Sequence, residues 1–440
     1  MKPIKVGLLG VGNVGSGTFN VLERNQEEIR RRAGRGIEVV AVSARNLERA
    51  KERTGGKVKV VADPFDIVND PEIDIVVELI GGYDEAKALV LQAIANGKHV
   101  VTANKALLAV HGNEIFAAAQ AKGVMVAFEA AVAGGIPIIK ALREGLTANR
   151  IEWLAGIING TTNFILSEMR DKGLDFATVL KQAQELGYAE ADPTFDIEGV
   201  DAAHKATIMS AIAFGIPVQF DKAHVEGISK LNAVDIRYAE QLGYRIKLLG
   251  IAKRATVNGI EGVELRVHPT LIPNKRLIAN VEGAMNAVLV QGDAVGATLY
   301  SGKGAGSEPT ASAVIADLVD ITRLATADPE HRVPHLAFQP NAMTNIEILP
   351  MSEVTTSYYL RMNVEDQPGV LADLTRILAD GTISIDAMMQ KEPAEGETRT
   401  DIIFLTHQTQ EKNVTAAIAK MEALTTVHGT VTKIRLENLS

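Results

Sequence analysis

The chain has 440 residues, of which 46% are hydrophobic and 22% are charged, and its formal net charge is −9. This length exceeds that of one ordinary hydrophobic core and predicts two or three domains. No apolar run reaches the length of about 18 residues that a membrane span requires, and the acidic balance disfavours broad contact with phosphates. We therefore expect neither a membrane protein nor a nucleic-acid-binding protein.

The chain contains no cysteine, which excludes disulfides, thiolate nucleophiles and zinc sites with cysteine ligands. A strand pattern begins almost at once, in MKPIKVGLLG, and leaves no room for a cleavable signal, so we expect a cytoplasmic protein. The one basic run, at positions 30–32 and 35, is interpreted as the solvated end of a helix.

Residues 4–130 alternate short β-branched runs with longer amphipathic stretches, and one helix is predicted from about Asn13 to Arg32. Apolar strands that are each followed by a helix indicate a parallel sheet covered on both faces. The sequence predicts an α/β fold whose first domain, residues 1–130, is a doubly wound sheet of the Rossmann type.

A glycine-rich loop joins the first strand to the first helix. In such a loop the first glycine permits the tight turn, the second lets a pyrophosphate approach the backbone, and the third lets helix and strand pack closely. The helix N-terminus offers free N–H groups to the phosphates. The predicted dinucleotide contacts are Gly10, Val11, Gly12, Asn13, Val14 and Gly15.

The end of the second strand bears on the choice of cofactor. NAD-selective folds usually place a carboxylate there to hold the ribose hydroxyls, but this strand ends in Ser43-Ala44-Arg45. A guanidinium would attract a 2′-phosphate, so NADP(H) is favoured over NAD(H). An ordinary solvated loop arginine at position 45 remains the alternative.

The pattern changes after the first domain and predicts an α+β domain over residues 131–307, which would serve catalysis and dimerisation. Helices are predicted at 163–171, 175–186, 199–213 and 234–242, and strands at 263–272 and 285–292. A further helix at 308–325 is expected to pack back onto the first domain. Prolines interrupt residues 326–354, which indicates a linker.

Residues 355–440 give the element order β-α-β-β-α-β, with helices predicted at 368–378 and 411–424. That order is typical of the ferredoxin-like fold. The sequence thus predicts a small third domain at the C-terminal end.

The segment from Ala183 to Lys205 concentrates carboxylates between two predicted helices. Asp201 and Lys205 are four residues apart and therefore lie on one face of a helix. An ordinary surface ion pair explains this spacing equally well.

Residues 183–205 resemble the signature of homoserine dehydrogenases position by position. Four further stretches are similar to the same family, and the resemblance covers roughly the first 330 residues. These stretches are 101–105 (VTANK), 129–137 (EAAVAGGIP), 159–166 (NGTTNFIL) and 301–306 (SGKGAG).

The resemblance implies reversible NAD(P)H-dependent reduction of L-aspartate 4-semialdehyde to L-homoserine, in the biosynthesis of threonine, methionine and isoleucine. It implies that Lys205 is the acid that protonates the oxyanion, that Asp201 orients it, and that Lys105 lies near nicotinamide and substrate. The implied substrate contacts are Gly160, Thr161, Tyr188, Glu190 and Asp196. The further cofactor contacts implied are Thr102, Lys105, Gly187 and Gly302.

The same resemblance implies a site for a monovalent cation, with Na⁺ favoured. Glu129 would supply a carboxylate oxygen, and Val132, Gly134 and Ile136 would supply backbone carbonyls, which suit a hard ion. Ala133 stands where relatives often have glycine.

Residues 360–375 resemble the opening of an ACT domain, a module that binds amino acids, often between paired copies. The implied ligand loop comprises Asp366, Gly369, Val370 and Leu371. On a homoserine dehydrogenase this implies feedback inhibition by L-threonine and a homo-oligomer, either a dimer or a tetramer. Loss of ligand sensitivity, with the domain kept for dimerisation alone, is the competing interpretation.

Two other functions remain open. The chain could be another amino-acid dehydrogenase on the same scaffold, such as an aspartate dehydrogenase, or a non-catalytic sensor of NADP and an amino acid. A fused aspartokinase is not expected, because the first strand begins at the N-terminus of the sequence. Oxidation of homoserine with NADP⁺ and NAD⁺ side by side distinguishes these possibilities.

Overall fold

The computed structural model describes residues 2–393 and 396–440. The chain divides into two compact units. The first comprises Met1–Gly160, Val200–Ala223 and Ala284–Ile346, and the second comprises Thr161–Gly199, His224–Gly283 and Glu347–Ser440. Every helix in the described part of the chain is too short or too polar to cross a lipid bilayer.

The N-terminal region alternates strands and helices up to residue 127, except that two helices follow β1. Its elements are β1 (Ile4–Leu9), α1 (Asn13–Arg24), α2 (Gln26–Ala33), β2 (Ile37–Ser43), α3 (Leu47–Arg53), β3 (Lys59–Val61), α4 (Phe65–Val68), β4 (Ile75–Glu78), α5 (Asp84–Ala95), β5 (His99–Thr102), α6 (Lys105–Lys122) and β6 (Val126–Ala127).

The six strands form one parallel sheet in the order β3-β2-β1-β4-β5-β6. This confirms the doubly wound α/β domain of the Rossmann type. The strand order reverses between β1 and β4, and ligands of open α/β sheets bind at the carboxyl ends of the strands beside such a reversal. The loop that follows β1 lies at that position.

The single helix predicted over 13–32 is wrong in one respect, because the chain breaks at Asn25 into α1 and α2. Asn25 has φ −108° and ψ 17°, outside helical geometry, and asparagine has a low helix propensity. After the break, the buried residues of α2 are Ile29 and Ala33.

The central region carries the longest strands of the chain. Its elements are α7 (Ile138–Lys140), β7 (Ile151–Ile157), α8 (Gly160–Lys172), α9 (Phe176–Glu185), α10 (Thr194–Ile197), α11 (Val200–Phe214), β8 (His224–Val225), α12 (Ala233–Gln241), β9 (Tyr244–Val257), β10 (Ile260–Pro273), β11 (Met285–Gly292), β12 (Gly296–Lys303) and α13 (Ser307–Leu324).

In unit 1, β11 pairs antiparallel with both β7 and β12. Helix α13 shares the core of the parallel sheet, where Val314 and Leu318 are buried together with Val6 and Phe19. The first residue of α13, Ser307, lies close to α1. An added Cβ on Gly17 of α1 would lie only 2.4 Å from Ser307 Oγ. Substitution of Gly17 would therefore push α13 away.

The C-terminal region belongs to unit 2. Its elements are β13 (Glu347–Ile348), β14 (Thr355–Glu365), α14 (Val370–Asp380), β15 (Ile385–Gln390), β16 (Arg399–Thr406), β17 (Thr409–Gln410), α15 (Glu411–Glu422) and β18 (Val427–Leu436). The four main strands are ordered β18-β14-β16-β15, which confirms the ferredoxin-like βαββαβ unit.

The sheet of the C-terminal region continues into the central region within unit 2. Strand β18 pairs with β14 on one side and, through Thr270↔Arg435 and Leu271↔Leu436, with β10 on the other. Strand β10 in turn pairs along its full length with β9. The C-terminal strand is thus an integral part of a sheet that the preceding region also builds.

The sequence patterns predicted β10 and β11 but missed β7, β9 and β12. In β9 the charged residues Lys247 and Lys253 interrupt the apolar run, so the strand shows no simple alternation. Lys247 is nevertheless buried, and its ammonium donates to Asn163 Oδ1 at 3.0 Å and to Val281 O at 2.6 Å. These contacts, together with Glu282 Oε2 at 3.7 Å, make a lysine acceptable in the middle of that strand.

Candidate active site

Two lysines of unit 1 share one carboxylate. Lys205 Nζ lies 2.7 Å from Asp201 Oδ2, and Lys105 Nζ lies 3.1 Å from Asp201 Oδ1. Lys205 also donates to Ile158 O at 2.8 Å, and Asn159 Nδ2 donates to Asp201 Oδ2 at 2.8 Å. We refer to Lys105, Asn159, Asp201 and Lys205 as the lysine site.

Burial distinguishes the lysine site from a surface ion pair. The side chain of Asp201 is 4% exposed and that of Lys205 11%, so the interpretation as a surface i,i+4 pair is wrong, whereas Lys105 is 34% exposed. Burial alone would raise the pKa of Asp201, but the charges of Lys205 and Lys105 and two hydrogen bonds hold it well below its usual value. The carboxylate therefore stays ionised between two cations.

Lys105 owes its place to a network of hydrogen bonds at the carboxyl ends of β4 and β5. Asn104 caps α6 by accepting from an N–H of its first turn at 3.0 Å, and its backbone N–H donates to Thr102 Oγ1 at 3.0 Å. Thr102 Oγ1 donates to Glu78 Oε2 at 2.7 Å. Lys105 is the first residue of the helix so anchored, which places its backbone at the carboxyl ends of these strands.

Glu78 and Asn159 were missed by sequence reasoning. Glu78 is fully buried at the end of β4, where its Oε1 accepts from the backbone N–H groups of Ile80 and Gly81 at 2.9 Å. Asn159 lies two residues after β7 ends and is also buried. A polar residue at or just after the carboxyl end of an apolar strand is the signal that could have found both.

His204, which the sequence left as structural, is buried on α11 with the edge of its ring against Phe220 at a centroid distance of 4.3 Å. Burial lowers its pKa to about 4, so the imidazole is neutral at neutral pH. It adds no positive charge to the neighbouring Lys205.

The glycine loop after β1 has the geometry that a dinucleotide requires. Gly10 has φ +96°, and an added Cβ on Gly15 would lie 2.2 Å from Gly10 O, so both positions need glycine. An added Cβ on Gly12 would meet nothing within 4 Å, so its outer face is open. Val11, Asn13 and Val14 complete the loop and the first turn of α1, whose N-terminal N–H groups face the same space.

Arg45 follows the end of β2 with a side chain that is 94% exposed. Its guanidinium lies 3.8 Å from Glu85 Oε2, a contact of little energetic weight at such exposure. The side chain is therefore available to an anionic ligand at the carboxyl edge of the sheet.

Three of the predicted substrate residues meet within unit 2. Thr161 Oγ1 donates to Tyr188 O at 2.7 Å and lies 3.3 Å from Asp196 Oδ2. The Tyr188 ring stacks on Phe164 with centroids 4.5 Å apart. Glu190 belongs to the same loop and is exposed, and its backbone carbonyl accepts from Gln184 Nε2 at 3.0 Å.

Two glycines shape the backbone beside these residues. Gly187, with φ +76°, follows α9 and turns the chain towards Tyr188. Gly160 begins α8, where an added Cβ would lie 2.8 Å from Ala284 O. Both positions therefore favour glycine for reasons of conformation or space.

Glu129 is buried in unit 1 beside a strained loop. Burial raises its pKa to about 7, although its carboxylate accepts from the backbone N–H groups of Ile139 and Lys140 at 2.9 Å. Ala133 and Gly134 both have positive φ, at 55° and 50°. This conformation explains why glycine suits position 133, a reason that the sequence alone did not supply.

Gly302 lies in β12, where it pairs with Asn286, and the end of this strand packs against the segment after Glu129. An added Cβ on Gly302 would lie 3.2 Å from a side-chain carbon of Ile136, and one on Gly134 would lie 2.4 Å from Gly304 O. Gly135 N donates to Lys303 O at 3.0 Å, so the segment after Glu129 and the end of β12 are tightly packed against each other. Val132, in that segment, is fully buried.

The predicted regulatory loop lies between β14 and α14 in unit 2. Gly369 has φ +99° and precedes the first residue of α14, Val370, which is buried, whereas Leu371 is half-buried. Asp366 N donates to Thr398 O at 2.9 Å. The space beside Gly369 is open, because an added Cβ there would meet nothing within 4 Å.

A cavity of about 1170 Å³ in unit 1 lies away from the lysine site, between α6 and the proline-rich segment 329–343. Phe116, His335 and Phe338 are among its lining residues, and none of the predicted site residues is. Cavity size is therefore a poor guide to the chemistry in this unit.

Comparison with protein families matches almost the whole chain in three segments. Residues 137–319 match the family described as homoserine dehydrogenase, and residues 10–129 match the NAD-binding domain of homoserine dehydrogenase. Residues 358–424 match the ACT domain.

Individual relatives agree with these matches. A homoserine dehydrogenase of Pseudomonas aeruginosa is 64% identical over 440 residues, with both chains fully covered, and one of Neisseria gonorrhoeae is 58% identical with the same coverage. The crystal structure of a homoserine dehydrogenase from Thiobacillus denitrificans is 72% identical, covers 100% of this chain and 99% of that one, and superposes with a TM-score of 0.95. A hyperthermophilic archaeal homoserine dehydrogenase in complex with NADPH is 26% identical, covers 74% of this chain and 99% of that one, and gives a TM-score of 0.63.

Proposed function

Because the chain belongs to the homoserine dehydrogenase family, we propose that it catalyses the reversible reduction of L-aspartate 4-semialdehyde to L-homoserine, in the biosynthesis of threonine, methionine and isoleucine. The observation that carries the proposal is the lysine site, where two ammonium groups share the buried carboxylate of Asp201. An aldehyde that gains a hydride becomes an alkoxide, and a fixed ammonium stabilises and protonates that oxygen.

Each residue of the lysine site has its own part in this proposal. Lys205 donates the proton to the substrate oxygen, and Asp201 holds its ammonium in place. Lys105 is the more exposed of the two lysines, and its ammonium contacts the substrate. Asn159 fixes the orientation of the shared carboxylate.

The glycine loop fits a dinucleotide, since Gly12 leaves its outer face open and Gly10 and Gly15 hold the turn. NAD(P)H, when bound, supplies the hydride. We propose Thr102, Gly187 and Gly302 as further contacts to the dinucleotide. We propose a preference for NADP(H), because the exposed Arg45 is available to a 2′-phosphate and an archaeal relative has been crystallised with NADPH.

The substrate's amino-acid end would be bound by the loop of unit 2. The exposed carboxylate of Glu190 suits an α-ammonium group, and Tyr188, Asp196 and Thr161 hold the loop through their mutual contacts. Gly160 is proposed as a further substrate contact. We propose the three domains and the linker with the residue bounds predicted from the sequence. The family matches support the order of the three domains, although the match at 137–319 runs past residue 307.

A monovalent cation, with Na⁺ favoured, is proposed at the loop after Glu129. Carbonyls of Val132, Gly134 and Ile136 with one carboxylate oxygen form the all-oxygen donor set that suits such an ion. The burial of Glu129 fits this assignment, because a buried carboxylate needs a compensating positive charge. The cation would hold the loop that packs against Gly302.

The ACT region is proposed to bind L-threonine at the loop of Asp366 and Gly369 and to inhibit the enzyme in a homo-oligomer, a dimer or a tetramer. The open space beside Gly369 and the free start of α14 support a ligand with a carboxylate there. A cytoplasmic location is proposed from the cysteine-free composition.

The decisive experiment is oxidation of L-homoserine by the full chain at alkaline pH, with NADP⁺ and NAD⁺ compared in parallel. We expect activity with both and a higher kcat/KM with NADP⁺, which Arg45→Ala should reduce by about tenfold while leaving NAD⁺ unchanged. Activity with L-aspartate in place of homoserine would contradict the proposal, and so would an absence of turnover with either nucleotide.

The same assay tests regulation when L-threonine is added. Inhibition that weakens in Asp366→Asn and persists in Asp373→Asn, an exposed position on α14, would support the proposed ligand loop. Equal inhibition in the wild type and both variants would contradict the proposed ligand loop. An absence of inhibition in the wild type would leave the ACT region with a structural role only. Light scattering at several protein concentrations checks the oligomeric state.

A further inference from the structure

A buried arginine of the C-terminal strand reaches residue 226 of the central region, within unit 2. Arg435, on β18, is 2% exposed, and its Nη1 and Nη2 donate to the two carboxylate oxygens of Glu226 at 2.9 Å each. Its Nε donates to Glu411 at 2.9 Å. Burial alone would raise the pKa of Glu226, but hydrogen bonds from His224 and Arg435 hold it well below its usual value.

The chain next to Glu226 packs backbone to backbone against the end of the substrate loop, which we define as residues 188–198. An added Cβ on Gly227 would lie 2.3 Å from Ile197 O and 2.4 Å from Glu198 Cα. Ile228 N donates to Ile197 O at 2.8 Å. Because these two backbone segments are in direct contact, we expect a shift of Glu226 to move the substrate loop as well.

The other side of the same segment is held by the long strand β10. Glu226 N donates to Val267 O at 2.8 Å, and β8 pairs with β10 through residues 224 and 225. The backbone is thus fixed on one side, and the carboxylate is fixed by Arg435 on the other. Residues 226–228 therefore pack against the substrate loop and stabilise its position.

We infer that Arg435 is a positioning residue for the proposed reaction, which sets the substrate loop through its two hydrogen bonds to Glu226. The inference rests on the proposed function, since it takes Tyr188, Glu190 and Asp196 to bind the substrate. It gives the ACT region a part in basal substrate binding, separate from any response to a regulatory ligand. A bidentate pair suits this part because it fixes orientation as well as distance.

The experiment compares Arg435→Gln and Glu226→Gln with Lys433→Gln in the full chain. Lys433 is the matched control, because it lies on the same strand and pairs with Glu411 but not with Glu226. We expect the first two variants to raise the KM for homoserine about tenfold, with kcat changed less than about threefold and the KM for NADP⁺ unchanged. The double variant should be no worse than either single variant, because both remove one interaction.

Hydrogen exchange of the same proteins supplies a readout that does not depend on turnover. Amides of residues 188–198 should exchange faster in Glu226→Gln than in wild type and Lys433→Gln, whichever substrate the enzyme uses. Glu226 is 38% exposed, so this variant decides the matter if Arg435→Gln does not fold. The inference is overturned if Glu226→Gln leaves both the KM for homoserine and the hydrogen exchange of residues 188–198 unchanged. It is also overturned if Lys433→Gln changes them as much as Glu226→Gln does. Lack of homoserine turnover in wild type overturns the proposed function instead.

Discussion

The lysine site of unit 1 and the charged cluster around Arg266 and Arg435 in unit 2 both contain buried charges, yet they differ in the ratio of positive to negative groups. The lysine site sets two ammonium groups on one carboxylate and leaves Lys105 partly exposed. In the second cluster each guanidinium contacts two carboxylates. We call this cluster, formed by Glu226, Glu264, Arg266, Glu411, Arg435 and Glu437, the arginine network.

The difference separates a reactive site from a structural one. Burial of charge is common to both, and perturbed pKa values occur in both, so neither property alone identifies chemistry. An excess of positive charge with access to solvent can stabilise an anion formed there. In the arginine network four carboxylates surround two guanidinium groups, so no excess of positive charge is left for an added anion. Three substitutions test this distinction, from the largest expected effect to the smallest.

Lys205→Met should lower kcat about 10³-fold, because it removes the proposed proton donor and keeps the volume of the side chain. Asp201 keeps Lys105 and Asn159 as partners, so we expect only a small loss of stability. Steady-state kinetics and urea unfolding of the same preparation provide the two measurements. A kcat within tenfold of wild type would remove Lys205 from the mechanism.

Arg266→Met should behave in the opposite way. It leaves the carboxylates of Glu264 and Glu437 without their shared guanidinium, and breaking a buried pair of this kind costs about 3 kcal/mol or more of unfolding free energy. Lys412→Met, which loses a partly exposed pair with Glu353, is the control and should cost less than about 1 kcal/mol. Equal losses in the two variants would show that the arginine network has no special weight.

Glu411→Gln should change how stability depends on pH. Burial alone would raise the pKa of Glu411, but Arg435 and Lys433 lower it from 4.5 to about 2. Because the folded value lies below the unfolded one, this stabilisation is complete above pH 4.5 and is lost as the pH falls towards 2. Between pH 5 and 2 the wild type should lose on the order of 2 kcal/mol more than Glu411→Gln, measured by urea unfolding. Parallel curves for the two proteins would assign the acid sensitivity to other groups.

Removal of the C-terminal region is a poor test of regulation, because this region also completes the sheet of β10 and the arginine network. Cleavage in the linker would strip β10 of its partner β18 and leave Arg266 and Glu226 without Glu437 and Arg435. Loss of activity in such a truncation would then report a damaged sheet. Point substitutions at Asp366 separate ligand binding from folding more cleanly.

Much of the fold was predictable because its signals are local. The glycines at 10, 12 and 15, the apolar strands and the order of elements after residue 355 each follow from neighbouring residues, and they led to the correct α/β and ferredoxin-like units. The pairing of Asp201 with Lys205 was also predictable, since the helix fixes a spacing of four residues. The break at Asn25 was missed because a single residue of low helix propensity does not interrupt the apolar pattern, and β9 was missed because its buried lysine depends on tertiary contacts.

The sequence by itself determined the chemical groups, the family resemblance and the type of each domain, because these depend on residue identity and short-range spacing. Tertiary structure alone decided that Lys105 joins Asp201 from 96 positions away, that Glu78 and Asn159 support the site, and that β18 completes the sheet of β10. Such contacts join residues far apart in the chain, and their stability comes from burial and charge compensation that no single segment encodes.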